Sequence, residues 1–371
     1  MKMESLTNLG RRLLGAKLPI IQGGMGVGIS LSGLAGAVAN QGGIGVISAA
    51  AIGMEEPDFF GNFLEANIRA LRREIRKARE ATKGILGVNI MVAMTNFVDM
   101  VKVAVDEAID VIFAGAGLPM NLPELLGENR KTKLVPIVSS AKAFRIICRR
   151  WWEKHHYLPD AVVVEGPMAG GHLGFKSEQI DDPHYALEKI VPEVIEEVQS
   201  FEKMQGKEIP VIPAGGIYTG SDILKYLELG AAGVQMATRF VTTNECDASI
   251  EFKRSYIEAK EEDLVIIKSP VGMPGRAIRN QFIDDVSKGI RKPYKCPYHC
   301  LITCDYKNSP YCIALALMNA KKGKLKDGFA FAGANAFREK EVVSVKERMD
   351  TLQEEFEAAI HPPTAPGWAP T

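Results

Sequence analysis

The feature that most constrains this chain of 371 residues is a regular alternation of short apolar runs with helix-like segments. Eight such runs occur, and most end in Gly, Ser, Asn or Thr: Pro19–Gln22, Gly45–Ser48, Ile85–Asn89, Val111–Ala114, Leu134–Ser139, Ala161–Glu165, Val211–Ala214 and Gly233–Thr238. Strands that alternate with helices pair in parallel through right-handed crossovers. Eight such units predict an α/β protein with a closed (β/α)8 TIM barrel rather than an open doubly wound sheet.

The segments between the apolar runs have helical spacing. In Ala66–Glu80, apolar residues recur every three or four positions, which is the period of an amphipathic helix. Asp222–Leu229 has the same character, and we expect Ser221 to be its N-cap and Gly230 to end it.

The alternation stops after the eighth run. Five prolines and a group of cysteines occur between residue 241 and about residue 330, where no strand–helix period is visible. We therefore expect a barrel over residues 10–245, an inserted cap-like segment over 246–330 beside the barrel mouth, and a C-terminal helix over 331–360 that completes the barrel. Glu339–Ala359 has helical period, whereas residues 361–371 are Pro-rich and are predicted to be disordered.

Charge and hydropathy exclude several classes of partner. Basic and acidic residues both number 45, so the formal net charge is zero and nucleic acid is not an expected partner. No run of about 18 apolar residues is present to span a bilayer. The first residues lack the apolar core of a secretory signal, so we expect a cytoplasmic protein without a membrane partner.

Four of the six cysteines fall within seventeen residues: Cys296, Cys300, Cys304 and Cys312. Without an export signal, such crowding favours metal binding over disulfides. Four thiolates at this spacing could bind a [4Fe–4S] cluster. Tetrahedral zinc and four reduced structural cysteines are the alternatives.

A candidate active site follows the sixth apolar run. The β-branched run ending at Glu165 predicts a strand buried on both faces, and the loop after it contains Gly170, Gly171, His172 and Gly174. Glycine lets the backbone approach a flat ligand closely, and histidine can move a proton near neutral pH. These residues therefore predict a catalytic histidine, although a structural histidine is the alternative.

The ends of the other runs are rich in glycine and amide residues, and a TIM barrel carries its function at the C-terminal ends of its strands. They include Gln22–Gly26, Asn89, Gly115–Gly117, Gly215–Gly216 and Gln235–Arg239. Backbone N–H groups after the seventh and eighth strands are typical of a phosphate site in this fold. Tight turns between strand and helix are the alternative explanation for the glycine pairs.

These motifs together resemble the nitronate monooxygenase family, formerly called 2-nitropropane dioxygenases, which includes FMN-dependent enoyl-acyl-carrier-protein reductases. The resemblance covers about residues 10–285 and rests on Gln22–Met25, Gly87–Ile90, Glu165–Gly174, Ala214–Ile217 and Val234–Phe240. Gly272–Asn280 is similar to a segment of the reductase branch. The chain differs from the family at Met168, which stands where a glutamate is usual.

The resemblance implies an FMN-binding barrel in which His172 is catalytic. It implies that Gln22, Gly23, Gly24 and Met25 lie along the isoalloxazine, that Asn89 binds the polar edge of the ring, and that Gly171 permits its close approach. It further implies that the phosphate is held by Gly215, Gly216, Gln235, Met236 and Thr238. Glu165, in the same motif as His172, is also expected to contact the cofactor.

The expected function is FMN-dependent oxidation of alkyl nitronates with a histidine base. The alternative within enzymes is an NAD(P)H-dependent enoyl-thioester reductase, in which a [4Fe–4S] cluster would serve single-electron transfer. A non-catalytic flavin- or metal-binding protein is the alternative of another class. The expected partner is a small-molecule substrate, and a homodimer is left open.

Overall fold

A computed structural model describes residues 6, 13–128, 131–290 and 295–361 of the chain, so the predicted disordered tail lies outside the described residues beyond His361. The strands are β1 (Ile20–Gln22), β2 (Gly45–Ser48), β3 (Leu86–Met91), β4 (Val111–Gly115), β5 (Lys133–Val138), β6 (Val162–Glu165), β7 (Gly171–His172), β8 (Val211–Ala214), β9 (Val234–Met236), β10 (Leu264–Lys268) and β11 (Pro274–Ile278). All eight predicted apolar runs are strands.

Eight parallel strands form a barrel in the order β1-β9-β8-β6-β5-β4-β3-β2. The ring closes between β1 and the start of β2, where Ile44 N–H donates to Ile20 O and Gln22 N–H donates to Ile44 O, both at 3.0 Å. The TIM-barrel prediction is therefore confirmed.

The barrel interior is apolar below and polar at its C-terminal end. Alternate strand residues point inward, and those of the lower layers form one buried cluster: Ile21, Val46, Phe113, Val135, Val163, Ile212 and Ala214 among others. Two positions further along their strands, the inward side chains include Ser48 and Glu165. Asn89 and Gln235 follow the same alternation on β3 and β9. We call these four side chains the polar floor.

The helices surround the barrel or follow it: α1 (Ser32–Asn40), α2 (Phe63–Ala81), α3 (Phe97–Asp106), α4 (Ala141–His155), α5 (Leu187–Gln205), α6 (Gly220–Glu228), α7 (Thr238–Val241), α8 (Ile250–Glu258), α9 (Gln281–Ser287), α10 (Ile313–Lys321) and α11 (Val345–Ile360). No helix among the described residues is both long and apolar enough to cross a membrane.

The start of α6 differs from the prediction. Thr219, and not Ser221, is its N-cap: the Thr219 hydroxyl accepts from Asp222 N–H at 3.2 Å, and the Asp222 carboxylate accepts from Thr219 N–H at 2.8 Å. This reciprocal pair satisfies the N–H groups of Thr219 and Asp222. Ser221 is the second residue of the helix and therefore does not cap it.

The C-terminal helix is shorter than predicted. It begins at Val345, where Ser344 caps it, and residues 331–344 before it contain only one short 3₁₀ turn. α11 packs against α6 and α1, in the place of the barrel's last helix. A Cβ on Gly220 would lie 2.1 Å from Phe356 N, so the absence of a side chain there permits this close packing.

Between β9 and α11 the chain forms a layer over the barrel mouth. β10 and β11 make an antiparallel hairpin, and β11 also pairs with β7, so that Gly275 lies opposite His172. The cysteine-bearing segment lies on the loop after β3: Cys300 O accepts from Thr95 N–H at 3.1 Å, and Ile302 N–H donates to Ala93 O at 2.8 Å.

Candidate active site

A cavity of about 590 Å³ lies at the C-terminal ends of the barrel strands. Its floor is the polar floor, its walls are the loops after the strands, and its outer side is formed by the layer that follows β9. This is the end of the barrel at which the sequence predicted a site.

Nearly all the predicted site residues meet in this cavity. Those that line it are Gly23, Gly24, Met25, Asn89, Glu165, Gly171, His172, Gly215, Gly216, Gln235, Met236 and Thr238. Gln22 does not line it. The Gln22 side chain is fully buried, where Oε1 accepts from Val46 N–H at 3.0 Å and Nε2 donates to Gly23 O at 2.5 Å. Gln22 therefore supports the turn after β1 instead of facing the cavity.

The polar floor offers unpaired polar groups to the cavity. Ser48 Oγ is buried without a hydrogen-bond partner among the described residues. The loop after β1 crosses the floor closely, because a Cβ on Gly24 would lie 2.4 Å from Asn89 Cβ. A buried polar atom without a partner costs free energy, so such atoms beside a cavity point to a bound ligand.

The loop after β8 depends on two consecutive glycines. Gly215 and Gly216 have φ angles of +90° and +85°, which side chains rarely tolerate. A Cβ on Gly216 would also lie 2.9 Å from Met168 Cβ, and one on Gly215 would lie 2.9 Å from Ala169 N. Across the cavity edge, a Cβ on Gly333 would lie 2.7 Å from Thr238 Oγ1. These close approaches leave a narrow space lined by backbone, which suits an anion.

His172 is held by residues from distant parts of the chain. Its Nε2 lies 2.7 Å from Ser269 Oγ, and its ring meets the Phe331 ring edge-on at a centroid distance of 5.0 Å. Leu173 N–H donates to Pro274 O at 2.9 Å, which continues the pairing of β7 with β11. The imidazole is thereby fixed at the cavity wall.

The electrostatics of the cavity are set by burial. Burial lowers the pKa of His172 to about 4, so its imidazole is neutral at pH 7. Burial raises the pKa of Glu165 to about 7. The residues that line the cavity include no lysine, arginine or aspartate, and Glu165 is their one carboxylic acid.

Several cavity residues were missed by the sequence analysis, above all Phe331, Ala332 and Gly333. This segment is tied across the mouth: Tyr256 donates its hydroxyl proton to Phe331 O at 2.5 Å, and Asn335 Nδ2 donates to Gly216 O at 2.7 Å. The signal that could have revealed it is the small-residue run Gly328–Ala336, which resembles the glycine-rich strand ends.

The predicted four-cysteine metal site is not formed. No group of three or more His, Cys, Asp or Glu side chains in the described part of the chain is arranged to hold a metal ion, although all four cysteines are described. Cys300 lies in the cavity wall, Cys312 precedes α10, and Cys296 Sγ accepts from His299 N–H at 3.2 Å. Burial raises the pKa of the Cys300 thiol, and the neighbouring Cys312, Cys296 and Cys304 raise it further. The described residues therefore give no support for the predicted [4Fe–4S] cluster or for zinc.

Comparisons with known proteins found one matching family model and several similar proteins. A family model described as nitronate monooxygenase matches residues 9–355. A probable nitronate monooxygenase from Staphylococcus aureus is 29% identical over 313 residues, which cover 75% of this chain and 79% of that protein. The (3aS,4S,5R,7aS)-5-hydroxy-7a-methyl-1-oxo-octahydro-1H-indene-4-carboxyl-CoA dehydrogenase of Mycobacterium tuberculosis is 29% identical over 279 residues, which cover 75% of this chain and 68% of that protein.

The fold also matches a solved structure along almost its whole length. FabK from Thermotoga maritima superposes with a TM-score of 0.72 at 29% identity, covering 95% of this chain and 97% of that one. The match therefore includes the layer over the barrel mouth as well as the barrel.

Proposed function

Because the chain belongs to the nitronate monooxygenase family, we propose that it is an FMN-dependent oxidoreductase that binds both cofactor and substrate in the cavity above the polar floor. The observation that carries this proposal is the imidazole of His172, held against Ser269 in the wall of a cavity whose described lining residues include no lysine or arginine. Such a site suits chemistry in which a histidine handles a proton beside an uncharged reactant.

The residues of the cavity fit FMN. A flat ring needs backbone that approaches closely, which Gly24 and Gly171 provide, and a polar edge needs hydrogen-bonding groups, which Asn89 and Gln235 provide. A phosphate needs N–H donors, and that of Gly216, at the edge of the cavity, makes no backbone hydrogen bond among the described residues. Thr238 adds a hydroxyl on the opposite side.

When bound, FMN would supply the acceptor or donor of electrons, and the chain supplies the rest of the site. The glycine loops and the polar floor hold and orient the ring. The layer over the barrel mouth, with Leu301, Ile313 and Phe331, excludes water from the cavity. These apolar residues contribute by shaping and closing the cavity, since none of them carries a charge.

His172 would act as the base. In this role Nε2–H donates to Ser269 Oγ, and Nδ1 is left as the proton acceptor. A neutral imidazole can take the α-proton of a nitroalkane, and it can equally donate a hydrogen bond to a substrate carbonyl in its other tautomer. Met168, in place of the usual glutamate, leaves this histidine without a nearby acid from that position.

The first candidate reaction is oxidation of an alkyl nitronate or of the neutral nitroalkane from which it forms. The absence of lysine and arginine among the lining residues favours the neutral nitroalkane as substrate, because a nitronate beside His172, away from the backbone N–H groups of the proposed phosphate site, would find no opposite charge. The same observation supports the second candidate, NAD(P)H-dependent reduction of an enoyl thioester, whose reacting end is uncharged.

One set of measurements separates these candidates. Purified protein is first assayed for bound flavin by its visible spectrum and then mixed without oxygen with nitroethane, ethyl nitronate, or NADH followed by crotonyl thioester. Bleaching by nitroethane in preference to ethyl nitronate supports oxidation of a neutral substrate. Bleaching by NADH with recovery on crotonyl thioester supports the reductase. A flavin that none of them bleaches supports a non-catalytic binder.

A further inference from the structure

We propose that Glu165 is held in the polar floor as an uncharged carboxylic acid that donates a hydrogen bond to the isoalloxazine, so that FMN binding is coupled to protonation of this one side chain. This inference rests on the proposed function, because it assumes FMN in the cavity. Glu165 would donate a hydrogen bond from its side chain, which the glycines beside the ring cannot do.

The position of Glu165 carries the argument. It is the last residue of β6, two positions beyond Val163, whose side chain lies in the apolar cluster inside the barrel. The alternation of side chains along a strand therefore directs Glu165 to the same interior, one layer higher, where it lines the cavity. No hydrogen bond or ion pair of its carboxyl group occurs among the described residues, and burial is the single cause that raises its pKa.

Among the described residues, the groups around Glu165 offer no charge to pair with it. The other titratable side chains that line the cavity are His172, Tyr185, Tyr256 and Cys300. The neighbouring strands β5 and β8 contribute only apolar residues such as Ile137 and Ala214 to the lining. On the outer face of β6, α5 carries Glu188 near its start, but that carboxylate is paired with Lys225.

The chemistry of the ring completes the argument. The isoalloxazine edge presents several acceptor atoms and one N–H donor, whereas a carboxylate only accepts hydrogen bonds. An ionised Glu165 would therefore set acceptor against acceptor in a cavity that shields charge poorly, and a protonated one would supply a donor. Ser48, Asn89 and Gln235 are side chains that can donate as well, so a protonated Glu165 makes the whole floor a set of donors.

Coupling fixes the sign of the pH dependence. If FMN prefers the protonated acid, its affinity is constant below the pKa of the free protein, about 7, and falls above it. The fall is about tenfold for each pH unit, until the pKa of the complex is reached.

The test compares wild type with Glu165→Gln, which keeps a donor but cannot ionise. FMN is titrated with flavin-free protein at about pH 6, 7, 8 and 9, and Kd is read from flavin fluorescence. The FMN phosphate also titrates in this range and affects both proteins alike. The measured quantity at each pH is therefore the Kd of wild type divided by the Kd of Glu165→Gln. We expect this ratio to rise about tenfold per unit above pH 7. Glu193→Gln, at an exposed position of α5, is the matched control and should behave as wild type.

The outcomes separate the two proposals. A ratio that stays flat from pH 6 to 9 while FMN binds would overturn the role of Glu165 and leave the proposed function intact. Failure of wild type to bind FMN at any pH would overturn the proposed function itself. If Glu165→Gln does not fold, infrared difference spectra of wild type replace it: the proposal requires a protonated carboxyl band that persists to higher pH with FMN than without it.

Discussion

His172 Nε2 and Ser269 Oγ lie 2.7 Å apart, although 97 positions separate the two residues in the chain. Ser269 is buried, and its own backbone is fixed by hydrogen bonds between Ser269 N–H and Met273 O and between Gly272 N–H and Ser269 O, both at 3.0 Å. A rigid turn thus presents the hydroxyl to the imidazole. The orientation of the proposed base is therefore set by the segment after the barrel and not by its own loop.

Ser269→Ala should slow the reaction without weakening FMN binding. Loss of this hydrogen bond leaves the imidazole less well oriented and should raise the activation free energy by about 1 kcal/mol. This corresponds to about a fivefold fall in kcat. Rapid mixing without oxygen measures the rate of flavin bleaching, and fluorescence measures FMN affinity. Ser269→Thr keeps the hydroxyl and should restore part of the rate; an unchanged rate in Ser269→Ala would exclude the positioning role.

His172→Ala should reduce the rate of substrate-dependent flavin bleaching by about 10² or more, because general-base catalysis typically contributes that much. FMN content should stay close to that of wild type. His184→Ala is the matched control, because the His184 side chain is 91% exposed beside Asp182 and away from the cavity lining. Equal rates for the two variants would remove His172 from the mechanism.

Gly216→Ala should weaken FMN binding strongly, whereas Gly206→Ala should not. Both glycines have positive φ, so either substitution strains the backbone by about 1–2 kcal/mol. A Cβ on Gly206 meets nothing within 4 Å, but one on Gly216 meets Met168 at 2.9 Å in the loop of the proposed phosphate site. Denaturation of both variants measures the loss of stability caused by backbone strain. FMN titration measures the additional effect of the Gly216 substitution on cofactor affinity. Equal FMN affinity in the two variants would contradict the placement of the phosphate.

Arg348→Met should destabilise the protein by about 3–5 kcal/mol, because it leaves a buried carboxylate unpaired. Arg348 Nη2 lies 3.0 Å from Glu339 Oε2, and Thr242 donates its hydroxyl proton to the same oxygen. Glu339→Leu combined with Arg348→Met removes both charges and should recover most of the loss. Lys346→Met breaks an exposed pair with Asp350 and should leave the free energy of unfolding close to that of wild type. Urea denaturation measures all three.

Glu165→Gln should also change how the stability of the flavin-free protein depends on pH. The pKa of Glu165 rises on folding from its ordinary 4.5 to about 7. Between these values the folded chain keeps a proton that the unfolded chain has lost, so wild type loses stability as pH rises through this window. We expect the free energy of unfolding of Glu165→Gln, relative to wild type, to increase by about 3 kcal/mol between pH 4.5 and pH 8. A constant difference in denaturation experiments would show that Glu165 ionises normally.

The barrel could be predicted from the sequence because its signal is local. Each strand is a short apolar run with a turn residue at its end, and eight repetitions leave few other folds. The site residues followed from the same argument, since the C-terminal ends of parallel strands meet at one mouth. Gln22 is the exception: it follows the inward-facing Ile21 on β1, and its amide is hydrogen-bonded to Val46 N–H and Gly23 O instead of lining the cavity.

What the sequence did not reveal depends on pairing over long distances. β7 has only two residues, Gly171 and His172, and is a strand only because β11 lies beside it. The cysteine spacing indicated metal ligands, but spacing in the sequence does not ensure that the side chains converge, and no metal-binding group is found among the described residues. The cap of α6 was misplaced by two residues because Thr219 and Ser221 are both good caps, and only Asp222 decides between them.

Because β7 pairs with the β10–β11 hairpin, two separate segments of the chain shape the site: the barrel loops form the cavity, and the hairpin orients His172. In the proposed site the barrel loops would hold FMN, whereas the orientation of the imidazole depends on a hairpin that begins about ninety residues after it. If this proposal holds, substitutions in that hairpin should change the reaction rate while the affinity for FMN stays close to that of wild type. An engineer who wishes to alter the reaction should begin with the hairpin and leave the barrel untouched.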